Sequence, residues 1–410
     1  MRNPCKAILL FVALTLTGIA PSWAQIPDWQ ANQQVVDSQC SPALATAPNG
    51  DLVMVWDSRG VDGDGRAVVM RRFAADGTAL DAMEQQVNAF TASRQENAHL
   101  AIDGSGEIVV VWEGRSAADG SGVVARRFGA DGSALSDEIQ VNTTIPDNQV
   151  NPRVARATDG SFAVAWQDRG LNRIMMRRFA ADGTPFGDPI DVNGVDLSSV
   201  REPDLAFDPD GELLVVWNDG GVFVQRYDVG GAPVGSALGL SEANTGLTPK
   251  IVVALDGSYL VAWRTNSGTE RVFGQRVATD DSLLGSNVVF DTLELPIVAE
   301  IAAAAESDGG FRVVWSAGSN DPGVTLDLFS RRLDPAGQLV GAVETPATTS
   351  TDFNQIHPSL TPLVAGGSVL VWETPDQDAQ GIFTDMPTTE PLFVDDFESG
   401  DTSRWYLAMP

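Results

Sequence analysis

The residue types that could carry acid–base or electrostatic chemistry gather at one position of a repeated pattern. Seven tryptophans end apolar runs of the chain, and a short first strand precedes each run. Counting back from the tryptophans brings both histidines, the only lysine beyond residue 24, an arginine and an aspartate to neighbouring positions: His99, Arg153, Asp204, Lys250 and His357. Variable residues on a rigid scaffold are where binding concentrates, so we expect these five to bind a ligand. Glu300 aligns with them by a looser match, and a hydrated channel mouth without a ligand is the alternative.

A second candidate site is a calcium loop. The stretch "DGDG" places Asp62 and Asp64 on one loop, and aspartates recur on the equivalent loops at Asp119, Asp321, Asp376 and Asp378. Hard cations require six to eight oxygen ligands, and this stretch lacks the later acidic ligands of a full calcium loop. Asp-Gly is also ordinary hairpin chemistry. The sequence therefore offers calcium at Asp62 and Asp64 as its only cofactor candidate, and two histidines are too few for a histidine metal site.

The elements that must position these residues repeat at intervals of 46 to 57 residues. A short strand leads through an Asp-Gly turn into the tryptophan strand, and a longer loop follows. An "RRF" strand, a second Asp-Gly turn and a strand ending "VN" complete the copy. Near-continuous apolar runs such as "IVVVW" are typical of strands that are covered on both faces.

Four antiparallel strands per copy, in seven copies, predict an all-β, seven-bladed β-propeller of four-stranded antiparallel blades. A row of β-sandwiches is the rival, but it needs domains of about 100 residues and linkers between them. The seventh copy has a third strand near "GIFTDM" and no "VN" strand. We expect an N-terminal strand at Gln33–Val36 to close the ring and so remove a free sheet edge.

Two further sets of residues repeat with the blades and are expected to serve the scaffold. The tryptophans should be buried between blades. An arginine recurs in six copies, and we expect it to pair with the acidic residues just after the tryptophans, such as Asp57, Glu113, Asp168 or Asp219. The ladder consists of Arg72, Arg127, Arg178, Arg226, Arg276 and Arg332.

Charge and the N-terminus limit the function classes. Residues 1–24 have a basic start, an apolar core and a small-residue cleavage site, which predicts a secretory signal peptide cut before Gln25. Residues 25–386 are expected to form the propeller and residues 387–410 a tail.

The chain carries 26 basic and 55 acidic residues, a net charge of −29. Such a field repels nucleic acid, and no segment is apolar enough to span a membrane. We expect an exported monomer in the periplasm, on the cell surface or outside the cell.

The pattern resembles the β-propeller repeats of exported bacterial proteins, many of them uncharacterised. The tail stretch "FVDDFESGDTSRW", at 393–405, resembles a C-terminal motif of various exported bacterial proteins, which implies a sorting or anchoring role. Propellers host many functions, so the resemblance indicates architecture rather than activity.

Three functions stay open at this point. The first is a non-catalytic binding module whose ligand is a glycan or a protein. The second is a polysaccharide-active enzyme, a hydrolase or lyase, with its site in the central channel. The third is a structural envelope component. The chain has no G-x-S-x-G or H-E-x-x-H motif, so the sequence favours the binding module.

Overall fold

The computed structural model describes residues 7–12, 29–32, 38–114, 122–143, 148–194, 201–241, 246–265, 270–292, 297–318, 325–346, 354–364, 366–373 and 383–384. Within them the chain forms six four-stranded antiparallel blades and one five-stranded sheet. The all-β propeller of four-stranded blades is therefore confirmed, but the number of blades is six rather than seven. We call the five-stranded sheet the closing sheet.

The strands of each blade follow one another in the sheet in chain order. Blade 1 consists of Gln39–Thr46, Leu52–Arg59, Arg66–Phe73 and Gln85–Gln86. Blade 2 consists of Gln95–Ile102, Ile108–Gly114, Gly122–Phe128 and Ile139–Gln140. Blade 3 consists of Gln149–Arg156, Phe162–Asp168, Arg173–Phe179 and Ile190–Asp191. Blade 4 consists of Arg201–Phe207, Leu213–Asn218, Val222–Tyr227 and Pro233–Gly239. Blade 5 consists of Leu247–Val253, Tyr259–Arg264, Val272–Val277 and Val288–Val289. Blade 6 consists of Ile297–Ala305, Phe311–Gly318, Asp327–Leu333 and Leu339–Pro346. The first strand of every sheet contacts the first strands of its two neighbours, and these contacts form a closed ring.

The closing sheet is built from both ends of the chain. Its first two strands, Ile356–Pro362 and Ser368–Glu373, belong to the seventh tryptophan copy. Ala7–Val12 pairs next to the tryptophan strand, with Leu9 opposite Val371, although the sequence predicts that this segment leaves with the signal peptide. Phe383–Thr384, from the predicted third strand "GIFTDM", pairs instead with Trp29–Gln30 at the outer edge. Because the third place is taken by an N-terminal segment, the seventh copy does not form a blade of the repeat type.

The tryptophans pack each sheet onto the one before it. All seven are at most 3% exposed, so the prediction that they are buried is confirmed. Trp166 of blade 3, for example, lies in an apolar cluster with Val109 and Val111 of blade 2. Trp372 of the closing sheet lies in a cluster with Val314 of blade 6. One sheet cannot bury both of its faces, so the repeated tryptophan is what each sheet contributes to the joint with its neighbour.

The arginine doublets of blades 1 to 3 fasten each of these blades to both neighbours through backbone carbonyls. The first arginine donates to the preceding sheet, as Arg126 Nη1 does to Val87 O at 2.7 Å. The second, the ladder arginine, reaches the tight turn of the next blade, as Arg127 Nη1 does to Asp182 O at 2.9 Å. The scaffold role expected for the ladder agrees with these contacts.

The expected partners of the ladder were wrong. Asp57 and Glu113 accept hydrogen bonds from backbone N–H groups of the following blade: Asn97 N to Asp57 Oδ2 at 3.1 Å, and Asn151 N to Glu113 Oε1 at 2.6 Å. Burial raises the pKa of Asp57 to about 8, even though the Asn97 amide and the more distant Arg66 favour its charged form. The acidic residue after the tryptophan therefore joins the tryptophan strand of one sheet to the first strand of the next.

An N-terminal segment supplies the outer part of the closing sheet. The predicted latch, Gln33–Val36, lies outside the described residues. Trp29–Asn32 instead takes the contacts that Gln85–Asn88 has in blade 1. Ala31 and Asn32 are buried, and Arg71 Nη1 donates to Ala31 O at 2.5 Å as Arg126 does to Val87 O. Asn32 Nδ2 donates to Gln39 Oε1 at 3.3 Å, as Asn142 does to Gln149.

Deleting residues 25–32 from a chain that begins at Gln25 is expected to lower the melting temperature by several degrees. The deletion removes the buried acceptor of the Arg71 guanidinium and the buried partner of Gln39, and unsatisfied buried polar groups cost about 1–3 kcal/mol each. Thermal unfolding followed by circular dichroism measures the effect. Deleting 393–410 is the control and should change the melting temperature much less. Equal melting temperatures for the first deletion and the parent would exclude a closing role for these residues.

Candidate functional site

A central cavity of about 400 Å³ collects the sequence-predicted residues. The first strands of all seven sheets contribute to its wall, and we call this cavity the funnel. All five predicted ligand-binding residues line it, together with Glu300: His99, Arg153, Asp204, Lys250 and His357. The structure therefore brings the five together; that they bind a ligand stays a prediction.

A β-bulge near the start of each first strand aims these side chains. In every sheet the pairing with the tryptophan strand shifts at this point, as between Glu96 and His99 in blade 2. In six of the seven sheets the bulge contains a residue with positive φ, such as Asn97 at 56° or Glu202 at 54°. Non-glycine residues avoid this conformation, and they cluster at functional sites where the surroundings enforce it. In five of the six, a carboxylate of the preceding sheet accepts from the N–H of the bulge residue and holds it in place.

Each first strand presents side chains to the funnel at two positions: the bulge residue and the residue two places after it. His99, Arg153, Asp204 and Lys250 each lie two residues after the positive-φ residue of their strand. His357 is itself the positive-φ residue of the closing sheet, with φ 52°. Its strand places Ser359 at the position that His99 has in blade 2. His357 therefore lies two positions before the place that the other four residues occupy in their strands, and it lines the same funnel.

The acidic side chains of the funnel already have backbone partners. Asp204 Oδ2 accepts from Ile251 N at 3.0 Å, and Glu202 Oε2 accepts from Thr248 N at 2.9 Å. Glu300 accepts from the backbone N–H of His357, and its Oε1 lies 2.8 Å from His357 Nδ1. Burial alone would raise the pKa of Glu300, but His357 holds it below the usual value. The three carboxylates therefore stabilise the ring as charged acceptors.

The two cations of the funnel lack such partners. Arg153 Nη1 donates to the carbonyl of Pro152 at 2.8 Å, and neither Arg153 nor Lys250 forms an ion pair with a carboxylate among the residues the structure describes. Burial and the neighbouring Arg153 lower the pKa of Lys250, and Asp204, Glu202 and Glu300 act against them. The funnel thus holds two half-buried cations that are not directly neutralised.

His99 lines the same cavity as these cations and feels the charge of both. Burial, Arg153 and Lys250 together move the pKa of His99 well below its usual value, so its imidazole is neutral at neutral pH. Its Nδ1 is buried and has no hydrogen-bond partner among the described residues. A neutral imidazole beside two cations can accept a proton once an anion offsets their charge.

At the calcium candidate, the carboxylates of Asp62 and Asp64 accept hydrogen bonds from protein N–H groups. Asp62 accepts from Asp64 N at 3.3 Å and from Asn88 Nδ2 at 3.1 Å, and Asp64 accepts from Ser93 N at 3.0 Å. In the described part of the chain, no three histidine, cysteine, aspartate or glutamate side chains are grouped as metal ligands. Asp119, Asp321, Asp376 and Asp378 lie outside the described residues. Calcium at Asp62 and Asp64 stays a prediction.

The bulge residues were not predicted as a group, although a recurring dipeptide marks most of them in the sequence. A Ser-Pro, Asn-Pro, Glu-Pro, Thr-Pro or His-Pro pair stands 15 residues before five of the tryptophans, at Ser41, Asn151, Glu202, Thr248 and His357. Proline removes a backbone donor and so marks bulges and strand edges. This dipeptide distinguishes His357 from His99, which does not precede a proline, and it marks Glu202 as a funnel residue.

Comparisons with known proteins support the architecture. No protein-family model matches the chain, and no curated protein matches it. A crystal structure of a protein of unknown function from Dyadobacter fermentans has 13% identity and a TM-score of 0.50, covering 75% of this chain and 97% of that one. A polysaccharide lyase of family PL25, an ulvan lyase bound to GlcA(1-4)Rha3S, has 10% identity and a TM-score of 0.52, covering 86% and 93%. These similarities show a shared fold. Within the described residues, no helix has the length and hydrophobicity of a membrane span.

Proposed function

We propose that this protein is an exported, carbohydrate-binding propeller that holds an anionic polysaccharide in the funnel. The observation that carries the proposal is the pair Arg153 and Lys250. Both side chains line a central cavity in a chain of net charge −29, and neither forms an ion pair with a carboxylate among the described residues. A cation left half-buried without a counterion costs free energy unless a ligand supplies the opposite charge.

The way the funnel acids are held strengthens this proposal. Asp204, Glu202 and Glu300 could have neutralised the cations, but each points a carboxylate oxygen at a backbone N–H of the next sheet. The arrangement therefore separates a structural ring of anions from two available cations. Arginine offers a planar fork for a carboxylate or sulfate, and lysine adds a point charge. The cavity of about 400 Å³ is large enough for one or two sugar rings.

One of the fold neighbours and the predicted export both favour a polysaccharide as the ligand. The lyase that shares the fold acts on a polysaccharide, and it is bound to GlcA(1-4)Rha3S. An exported protein meets such polymers in the periplasm, at the cell surface or outside the cell. A purely structural role in the envelope would not require two cations without counterions in the central cavity. We therefore favour an acidic polysaccharide over a protein ligand.

Replacing Arg153 with alanine is expected to weaken the binding of an acidic polymer by about tenfold or more, because a charged hydrogen bond contributes about 1.5–3 kcal/mol. Lys250→Ala should weaken it by a similar amount. Isothermal titration with polygalacturonate as the probe measures both effects, and neutral dextran tests whether charge is required. The melting temperatures should change little, since neither side chain fastens one sheet to another.

Arg94→Ala is the matched control. Arg94 is 64% exposed, forms only a 3.5 Å surface pair with Glu96 and does not line the funnel. Its loss removes the same charge from the protein and should leave affinity unchanged. If Arg94→Ala weakens binding as much as Arg153→Ala, the attraction is a general effect of net charge and the funnel is not the site.

A further inference from the structure

We propose that the funnel also cleaves its ligand, by β-elimination at a 4-linked uronate, with His99 as the catalytic base. This inference rests on the proposed binding of an acidic polysaccharide and names the reaction that the same residues can perform. It is drawn from three features of the funnel: two cations that form no ion pair with a described carboxylate, an imidazole that lines the same cavity, and carboxylates that already accept hydrogen bonds.

The engaged carboxylates argue against hydrolysis. Glycoside hydrolysis by the usual route needs two carboxyl groups, one to protonate the leaving oxygen and one to act as nucleophile or base. In the funnel, Asp204 and Glu202 accept backbone hydrogen bonds from the next sheet, and Glu300 is held by His357. Using any of them as an acid or a nucleophile would break a contact between sheets. Elimination needs no carboxylate from the protein.

The cations supply what elimination requires. The hydrogen on C5 of a uronate is weakly acidic because the adjacent carboxylate is negative and resists a second negative charge. Arg153 and Lys250 would bind this carboxylate, neutralise it and stabilise the charge that develops as the proton leaves. His99 takes the C5 proton, the C4–O bond breaks and a C4=C5 double bond forms. The leaving oxygen takes a proton from water, and His99 returns its proton to solvent.

Substrate binding also prepares the base. In the empty funnel Arg153 and Lys250 oppose a third positive charge, which is part of the reason that the pKa of His99 is low. A bound carboxylate cancels part of this repulsion and makes the imidazolium easier to form. The Nδ1 atom of His99 is buried, so Nε2 is the nitrogen that takes the C5 proton of a bound sugar. The base therefore gains strength only when an acidic sugar occupies the site.

The experiment incubates the chain from Gln25 to Pro410 with polygalacturonate, alginate, hyaluronan and a sulfated glucuronate–rhamnose polymer. Elimination is followed by the ultraviolet absorbance of the new double bond conjugated with the carboxylate. His99→Gln is expected to lower the rate by about 100-fold or more, the contribution of a general base, with little change in the dissociation constant. Arg153→Ala should raise the dissociation constant and lower the rate together.

Each outcome separates this inference from the binding proposal. A polymer that binds in a manner dependent on Arg153 but yields no absorbing product overturns the elimination and leaves the proposed function standing. New reducing ends without absorbance also overturn it, because they indicate hydrolysis. Elimination that His99→Gln leaves unchanged assigns the base elsewhere. If none of the four polymers binds, the proposed function fails, and the elimination fails with it.

Discussion

Replacing Trp166 with alanine is expected to lower the free energy of unfolding by about 3–5 kcal/mol, the cost of truncating a large buried aromatic. The side chain is 1% exposed and lies in an apolar cluster that joins blade 3 to Val109 and Val111 of blade 2. Its Nε1 has no hydrogen-bond partner among the described residues, so the loss comes from packing alone. Denaturant unfolding followed by circular dichroism measures the change.

Two comparisons sharpen the tryptophan prediction. Trp166→Phe keeps most of the buried area and should cost clearly less than the alanine variant. Affinity for an acidic polymer, measured on the folded fraction, should be unchanged in both variants because Trp166 does not line the funnel. An alanine variant with the denaturation midpoint of the parent would contradict the packing between blades 2 and 3.

The repeat was predictable because every copy must solve the same burial problem. A tryptophan on each sheet fills the joint with the preceding sheet, and in blades 1 to 3 an arginine doublet also reaches a carbonyl on either side. Both needs recur at a fixed place in each copy and leave a periodic signal in the sequence. The all-β propeller of four-stranded blades therefore follows from the chain alone.

The closing sheet was not predictable by the same logic. Its strands come from segments that do not repeat, so no second copy indicates which residues pair. Trp29–Asn32 shares only a glutamine and the final asparagine with Gln85–Asn88, and its equivalence appears through Arg71 and Gln39, which lie elsewhere in the chain. The count of seven blades failed here, since Ala7–Val12 lies beside the seventh tryptophan strand.

The sequence predicted which charged residues lie together in the funnel, but it does not show which partners these residues have. The alignment brought His99, Arg153, Asp204 and Lys250 to one position without indicating which charges were compensated. The structure pairs Asp204 with a backbone amide and leaves Arg153 and Lys250 without carboxylate partners among the described residues. That difference between equivalent charged residues separates the scaffold from the proposed binding surface.

In the described part of the chain Arg226 contacts more carboxylates than any other member of the arginine ladder, and its replacement is the second large effect. Arg226 is 4% exposed and contacts three carboxylates: Asp208 at 2.6 Å and Glu212 at 3.1 Å in its own blade, and Asp281 at 2.8 Å in blade 5. Arg226→Met is expected to lower the free energy of unfolding by about 3–5 kcal/mol at neutral pH, because it leaves a buried carboxylate uncompensated. Denaturant unfolding at several pH values measures the effect.

The pH dependence distinguishes lost charge compensation from lost packing. Without Arg226, a buried ionised carboxylate has no cation beside it, whereas a neutral group in its place needs none. The deficit of the variant should therefore be smaller at acidic pH than at neutral pH, and Asp208→Asn added to Arg226→Met should recover part of it. Arg94→Ala, which removes an exposed arginine with one surface pair, should cost less than about 1 kcal/mol. A deficit for Arg226→Met that stays constant from acidic to neutral pH would mean that the side chain acts by packing, and that the three carboxylates do not depend on its charge.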